Sequence, residues 1–200
     1  MFLTENWAAL ETDKTHCEHN AKVAVVIVEA PMCTEGDSVI TIRRLQAGEA
    51  DLFKQVRLMA LQDAPYAFPS TYAAAVQRSA ESWREQAERT SQGTDRATFI
   101  AFSEDVPIGM AALYRREDQV DAGELLQVWI SPEYRGTSVA WDLMDVIFKW
   151  AREYNFRQVL AGVTKVNARA LKFYTKYGFS ILDESSVNDP AGVYLVMDVK

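Results

Sequence analysis

Apolar and polar positions divide the chain into segments of two different periods. "VITIRRL", from Val39, alternates with period two and predicts a strand. Between Gly48 and Asp63, Leu52, Val56, Met59 and Ala60 recur at helical spacing. "DAPYAFPSTY" is broken by two prolines and rich in aromatics, which predicts a loop. Ser82 with Glu85 three residues later forms a capping box that opens a further helix. "ATFIAFSE" and "VPIGMAALYRR" predict two strands around a turn at Asp105, Val106 and Pro107, and "ELLQVWIS" a third central strand. Ala140, Leu143, Met144, Ile147, Phe148 and Ala151 make the apolar stripe of an amphipathic helix. "QVLAGVT" reads as a buried strand, and Asn167 to Tyr177 as a helix stopped by Gly178. "FSILDE" and "VYLVMDV" close the chain as strands. The predicted order is β, helices, βββ, α, β, α, ββ, a mixed α/β class of the α+β type.

Residues 1–38 break this pattern. "LETDKTHCEHNAK" is polar without a period, "VAVVIV" offers one strand, and "APMCTEGD" has turn chemistry. An N-terminal extension over 1–38 and a single domain over 39–200 are expected. Met32 lies just before that boundary, so a chain starting there is expected to fold. The extension holds seven acidic and two basic residues, −5 of the net charge of −7, which leaves −2 for the rest. There is no Lys/Arg block of the kind that binds nucleic acid. A mildly acidic surface favours a cationic small molecule. No apolar run reaches the roughly 20 residues of a membrane span, and the start is not basic as in a signal peptide. A soluble, cytoplasmic protein, monomeric or homodimeric, is expected.

The two cysteines, Cys17 and Cys33, and the two histidines, His16 and His19, all lie in the extension. Residues 39–200 therefore cannot supply a Ser-His-Asp triad, a cysteine nucleophile or a histidine-rich metal site. "HCEH" fits no standard zinc spacing, and a solvated tail is its expected role, so no metal is expected. Two cysteines without a pattern suit a reducing compartment.

"SPEYRGTSVAWDLM" joins the predicted strand "LLQVWI" to an amphipathic helix through Arg135-Gly136. The free N–H groups and positive dipole end of such a helix form an anion site. Gly136 lets backbone approach a ligand closely, and Arg135 can add a charge-assisted contact to phosphate. A plain connection with a solvated arginine is the alternative reading.

"VWISPEYRGTSVAWDLM" resembles motif A of the Gcn5-related N-acetyltransferase superfamily, Arg/Gln-x-x-Gly-x-Gly/Ala. Arg135 and Ala140 match its ends, while Ser138 stands where the family usually has glycine. That serine places a Cβ and a hydroxyl beside the phosphates, to bond them or to strain their approach. "NARALKFYTKYGF" resembles motif B, Asn-x-x-Ala-x-x-Phe-Tyr-x-x-x-Gly-Phe, at Asn167, Ala170, Phe173, Tyr174, Gly178 and Phe179. The resemblance covers residues 39–200 in element order.

The resemblance implies a central mixed, mostly antiparallel sheet with a V-shaped splay, flanked by helices on both faces. It implies acetyl-CoA as co-substrate and a primary amine, of a small molecule or a protein N-terminus, as acceptor. Backbone groups of Val128, Trp129 and Ile130 would hold the pantetheine arm and polarise the acetyl carbonyl. Arg135, Gly136, Thr137, Ser138, Val139 and Ala140 would hold the diphosphate. Tyr174 would act as general acid towards the leaving sulfur, or simply pack on the sheet as an aromatic. Asn167 would bond the pantetheine, cap its helix, or do both. Glu124 is the candidate base, acting through water, with a solvated strand-end carboxylate as the alternative. Tyr66, Phe68 and Tyr72 would wall the acceptor pocket, with Asp63 as an ammonium partner, although loop packing also suits these aromatics. An acyl-CoA-binding sensor or partner module without turnover is the competing reading. A nucleotide-binding domain is disfavoured, because neither GxxxxGK[ST] nor GxGxxG occurs.

Overall fold

The computed structural model describes residues 39–182 and 192–200. Among them, seven strands form one sheet in the order β1-β2-β3-β4-β5-β7-β6. The strands are β1 Ile40–Arg44, β2 Arg96–Ser103, β3 Val106–Arg115, β4 Ala122–Ile130, β5 Gln158–Val163, β6 Ser180–Ile181 and β7 Val193–Asp198. Helices α1 Ala50–Asp63, α2 Tyr72–Val76 and α3 Ala80–Ser91 follow β1. Helix α4 Val139–Glu153 links β4 to β5, and α5 Ala168–Tyr177 follows β5. Only β4 and β5 pair in parallel, the arrangement that needs a helical crossover, and α4 supplies it.

Helices cover both faces of the sheet. On one face Leu143, Met144, Ile147 and Phe148 of α4 pack with Leu113, Leu125, Val159 and Leu195. On the other, Phe53, Val56 and Trp83 of α1 and α3 pack with Ile100, Met110 and Trp129. Strand β2 serves both cores in alternation, Phe99 and Ala101 to one side, Ile100 and Phe102 to the other. This is why "ATFIAFS" is apolar throughout rather than every second residue.

The sheet opens between β4 and β5. Pairing there runs only from Ala122 to Leu125 on β4, against Gln158 to Ala161 on β5. Gly162 and Val163 of β5 pair with β7 alone. Beyond Leu125, β4 stays on β3 through a bulge, with Ala112 opposite Leu126 and Met110 opposite Trp129. Gln127 and Val128 thus oppose the single residue Ala111, and Gln127 adopts a φ of 57°. Such a bulge bends its strand and increases the twist, which swings β4 away from β5. The V-shaped splay implied by the resemblance is present, with its closed end at Leu125 and Ala161.

The local expectations need several corrections. Helix α3 starts at Ala80, capped by Ser79, whose Oγ accepts from the Ser82 N–H at 3.1 Å. Ser82 is thus inside the helix and not its cap. Helix α1 starts at Ala50, and its buried face is Phe53, Val56, Arg57, Ala60 and Leu61, with Leu52 and Met59 at the margin. The β2–β3 turn lies at Glu104-Asp105, one residue before the expected place, with Glu104 at φ 55°. The expected loop after α1 contains a 3-10 turn, Pro65–Ala67, and the short helix α2, capped by Thr71. β6 is only two residues long. The extension, with Cys17, Cys33, His16, His19 and "VAVVIV", lies outside the described residues. Among the described residues, no helix is long and apolar enough to cross a membrane.

Candidate active site

The open end of the splay is the junction of β4 and α4. Ser131 leaves the strand, a 3-10 turn spans Pro132–Tyr134, and Arg135 to Ser138 lead into α4. Gly136 has a φ of 91°, which side chains resist, and a Cβ built there would meet nothing within 4 Å. The space beside this backbone is therefore open. Ser138 sits at φ −69°, ψ −18°, an ordinary helical conformation, so a serine at this position carries no backbone strain. The first intrahelical bond runs from Asp142 N–H to Ser138 O, so the N–H groups of Val139, Ala140 and Trp141 precede the ladder. The Val139 side chain is core, leaving only its backbone for a ligand. Thr137 Oγ1 donates to Tyr134 O at 2.7 Å and accepts from the Val139 N–H at 3.4 Å, which leaves the Ala140 and Trp141 N–H groups without a partner among the described residues.

Arg135 turns back onto the strand. Its Nε donates to Ile130 O at 3.0 Å, and Nη2 pairs with Asp63 Oδ2. The same Asp63 oxygen accepts from Trp129 Nε1 at 2.8 Å. Asp63, the last residue of α1, thus clamps two predicted cofactor residues through its Oδ2. The loop after α1 is tied across the mouth of the V, where Thr164 Oγ1, just past β5, donates to Tyr66 O at 3.2 Å. Tyr66 and Tyr72 are exposed, at 57% and 42%. Phe68 is half-buried, with the Arg57 guanidinium 4.3 Å from its ring centre.

Glu124 lies at the closed end of the splay, opposite Tyr114 on β3 and Leu160 on β5. It lines a cavity of about 280 Å³ with Arg96, Tyr114, Arg116 and Leu126. Tyr174 is buried in α5, its ring 5.4 Å from those of Phe173 and Phe179. Burial, with no hydrogen bond or charge contributing among the described residues, raises its pKa above the ordinary phenol value. Asn167 caps α5, with Oδ1 accepting from Ala170 N–H at 3.1 Å. Gly178 ends the helix at φ 125°, its N–H and that of Phe179 both donating to Tyr174 O.

Sequence reasoning missed three features. The Gln127 bulge leaves no compositional signal, because no glycine marks it. Asp142, in the first turn of α4, has its Oδ2 buried without a hydrogen-bond partner among the described residues. Burial raises its pKa, opposed by the Ser138 hydroxyl. Arg57 is buried on α1, and here a signal existed: it stands four residues after Phe53 and four before Leu61, on the apolar stripe.

An open backbone edge on β4, a helix start whose Ala140 and Trp141 N–H groups have no partner among the described residues, and a positive-φ glycine beside empty space together fit a long carrier with an anionic end. The described residues contain no cluster of three or more potential metal ligands. Comparison with known proteins agrees with this geometry. The model of the Acetyltransferase (GNAT) family matches residues 57–179. Uncharacterized N-acetyltransferases of Mycobacterium tuberculosis and Mycobacterium bovis are 38% identical over 74 residues, 37% of this chain and 46% of theirs. The match thus spans about half the length of these curated relatives. A GNAT-family acetyltransferase from Streptococcus pneumoniae superposes with a TM-score of 0.66 at 18% identity, covering 80% of this chain and 99% of that one. The PaiA N-acetyltransferase of Thermoplasma acidophilum, in complex with coenzyme A, gives a TM-score of 0.66 at 20% identity, covering 80% and 98%. At these identities the two structures show a shared fold.

Proposed function

The chain belongs to the GNAT acetyltransferase family, and from that premise we propose that it transfers an acetyl group from acetyl-CoA to a primary amine. The observation that carries this reading is the splay, whose unpaired β4 edge runs from the Gln127 bulge to the turn at Gly136. Acetyl-CoA supplies an acyl group activated as a thioester. Its diphosphate would lie on the N–H groups of Gly136 to Ala140, and its arm along Val128, Trp129 and Ile130. Preorganised donors aimed at a carbonyl oxygen are each worth about 3 kcal/mol of transition-state stabilisation.

Tyr174 is the candidate acid. Its raised pKa keeps the phenol protonated, so the hydroxyl is available to donate to the sulfur as negative charge builds there. Glu124 is the candidate base, at the closed end of the V. Asn167, with Oδ1 spent on its cap, offers its amide N–H groups to the arm. Asp63 serves by holding Trp129 and Arg135 in place.

The test is thiol release from acetyl-CoA over a panel of amines, with Tyr174→Phe beside the native chain. The reading expects turnover with at least one amine class, and a kcat lowered by ~10²–10⁴ in the variant with little change in coenzyme A affinity. Binding of acetyl-CoA without turnover of any amine would instead favour the acyl-CoA-binding module.

A further inference from the structure

We propose that the cavity between α3 and β3 is a phosphate subsite formed by Arg78, Arg89 and Arg96, and that the acceptor is a small amine carrying a phosphate monoester at its other end. The proposal deepens the acetyl-transfer reading and rests on it for the reacting amine.

The cavity measures about 250 Å³. Three guanidiniums and a single carboxylate, that of Glu85, line it, which leaves a charge of +2. Like charges gathered round one hollow repel one another until an anion joins them. None of the three is neutralised by a close ion pair. Arg78 donates only to the hydroxyl and carbonyl oxygens of Ser82, and its guanidinium lies 3.9 Å from the Trp83 ring centre. Arg89, in the last turn of α3, enters no salt bridge among the described residues. Arg96 Nε is buried without a hydrogen bond. Its carboxylate neighbours, Asp95 and Glu117, stand 3.5 and 3.9 Å from the guanidinium and are 59% and 95% exposed, so water screens both. Neutral groups complete the lining. Gln86 Nε2 donates to the Tyr114 hydroxyl at 3.2 Å, which leaves that hydroxyl its own proton for a ligand oxygen.

The register of the sheet ties this cavity to the candidate base. Arg96 on β2 pairs with Tyr114 on β3, and Tyr114 with Glu124 on β4. Directly paired residues share a face, so Arg96 and Glu124 stand on one face two strands apart, about 10 Å. A second cavity, of about 280 Å³, shares the Arg96 and Tyr114 walls and reaches Glu124 and Leu126, the residue before the bulge. Its other arginines are occupied. Arg115 donates to the backbone oxygens of Val120 and Tyr154, and Arg116 is held in a fork by Asp118. Glu124 enters no salt bridge among the described residues. The joined hollows are thus cationic beside α3 and acidic at Glu124, a polarity that suits a phosphate at one end and an ammonium at the other.

The number of arginines selects phosphate over carboxylate. A phosphate monoester carries about −1.5 to −2 at pH 7 and presents three acceptor oxygens. That charge answers the +2 of the cavity, and each guanidinium can grip two oxygens in a fork. A carboxylate, with one charge and two oxygens, leaves part of the cationic lining unanswered.

The experiment measures kcat/KM for ω-aminoalkyl phosphates of two to six carbons against amino alcohols and amino carboxylates of the same length. The proteins are the native chain, Arg89→Gln, Arg96→Gln and, as a control, Arg84→Gln. Arg84 is exposed on α3, pairs with Glu81 and does not line the cavity. The native chain should favour phosphate over alcohol by ~10²-fold and over carboxylate by ~10-fold. The phosphate-to-alcohol ratio should fall ~10-fold or more in Arg89→Gln and Arg96→Gln and hold in Arg84→Gln. In a second arm, inorganic phosphate is added to protein saturated with coenzyme A, which fills the α4 site, and melting is compared with sodium chloride of equal ionic strength. Phosphate should raise the melting temperature more in the native chain than in Arg89→Gln, because its general stabilising effect is common to both. Equal rates for phosphate and alcohol, a preference for carboxylate, a ratio preserved in Arg89→Gln, or an equal loss in Arg84→Gln would each overturn the subsite. If no amine reacts, the phosphate arm decides, and equal shifts in both proteins count against the proposal. If coenzyme A gives no heat in calorimetry, the transfer reading falls, while the phosphate arm, run without it, still judges the subsite.

Discussion

Replacing Asp63 by alanine tests how the mouth of the cleft is built. The substitution removes two contacts made by one oxygen, the acceptor for Trp129 Nε1 and the anion facing Arg135. The Trp129 residue is only 5% exposed, so its indole N–H loses an acceptor that water does not readily replace. A hydrogen bond to a charged group contributes about 1.5–3 kcal/mol. The Arg135 and Asp63 side chains are 26% and 24% exposed, so the ion pair adds less, about 0.5 kcal/mol after screening. A total of about 2–3.5 kcal/mol results, and at 2–4 °C per kcal/mol for a chain of this size the melting temperature should fall by ~4–14 °C. Asp63→Asn keeps an acceptor for the indole and should lose roughly half as much. Thermal unfolding followed by circular dichroism reads both, and Asp63→Ala in an Arg135→Ala background gives the coupling. A melting temperature for Asp63→Ala within 1 °C of the native value would show that the clamp is incidental.

Other outcomes follow from the titrating groups. Because burial holds the Tyr174 pKa above its ordinary value of 10.0, kcat should show no alkaline decline attributable to the phenol below about pH 10. A loss near pH 8.5 that vanishes in Tyr174→Phe would contradict this. Glu124→Gln should lower kcat by ~10²-fold with little change in coenzyme A affinity, and an unaltered kcat would remove Glu124 as base. Asp142 has a folded pKa above its unfolded value, so its stabilising contribution is present at acid pH and lost as pH rises through the folded pKa. Asp142→Asn should therefore melt higher than the native chain at pH 7 and nearly equally at pH 3. The same change removes a negative charge from the first turn of α4 and should tighten coenzyme A binding several-fold.

Element order was legible from periodicity because each helix has one buried face. The stripe Leu143, Met144, Ile147, Phe148 could mean little else, and α4 follows it. Boundaries were less legible where two residues offered the same chemistry, as when Ser79 and Ser82 both suit a cap and tertiary packing selected the first. The turn at Gly136 and the cap at Asn167 were readable because positive φ and capping restrict residue choice locally. The bulge at Gln127 was not, since its cause is the pairing of β4 with β3, far away in sequence. Nor was the Asp63 clamp, whose partners stand 66 and 72 positions along the chain. Arg57 could have been found, as one charge on an otherwise apolar helix face.

Coenzyme A titrated calorimetrically into the native chain and into Gly136→Val tests the central claim most directly. Valine at φ 91° is strained and fills the space where backbone would meet the diphosphate, while the exposed turn tolerates it without unfolding. The account predicts saturable heat with the native chain and an affinity at least ~10-fold weaker in the variant. No heat with the native chain, or the same dissociation constant for both proteins, would contradict it.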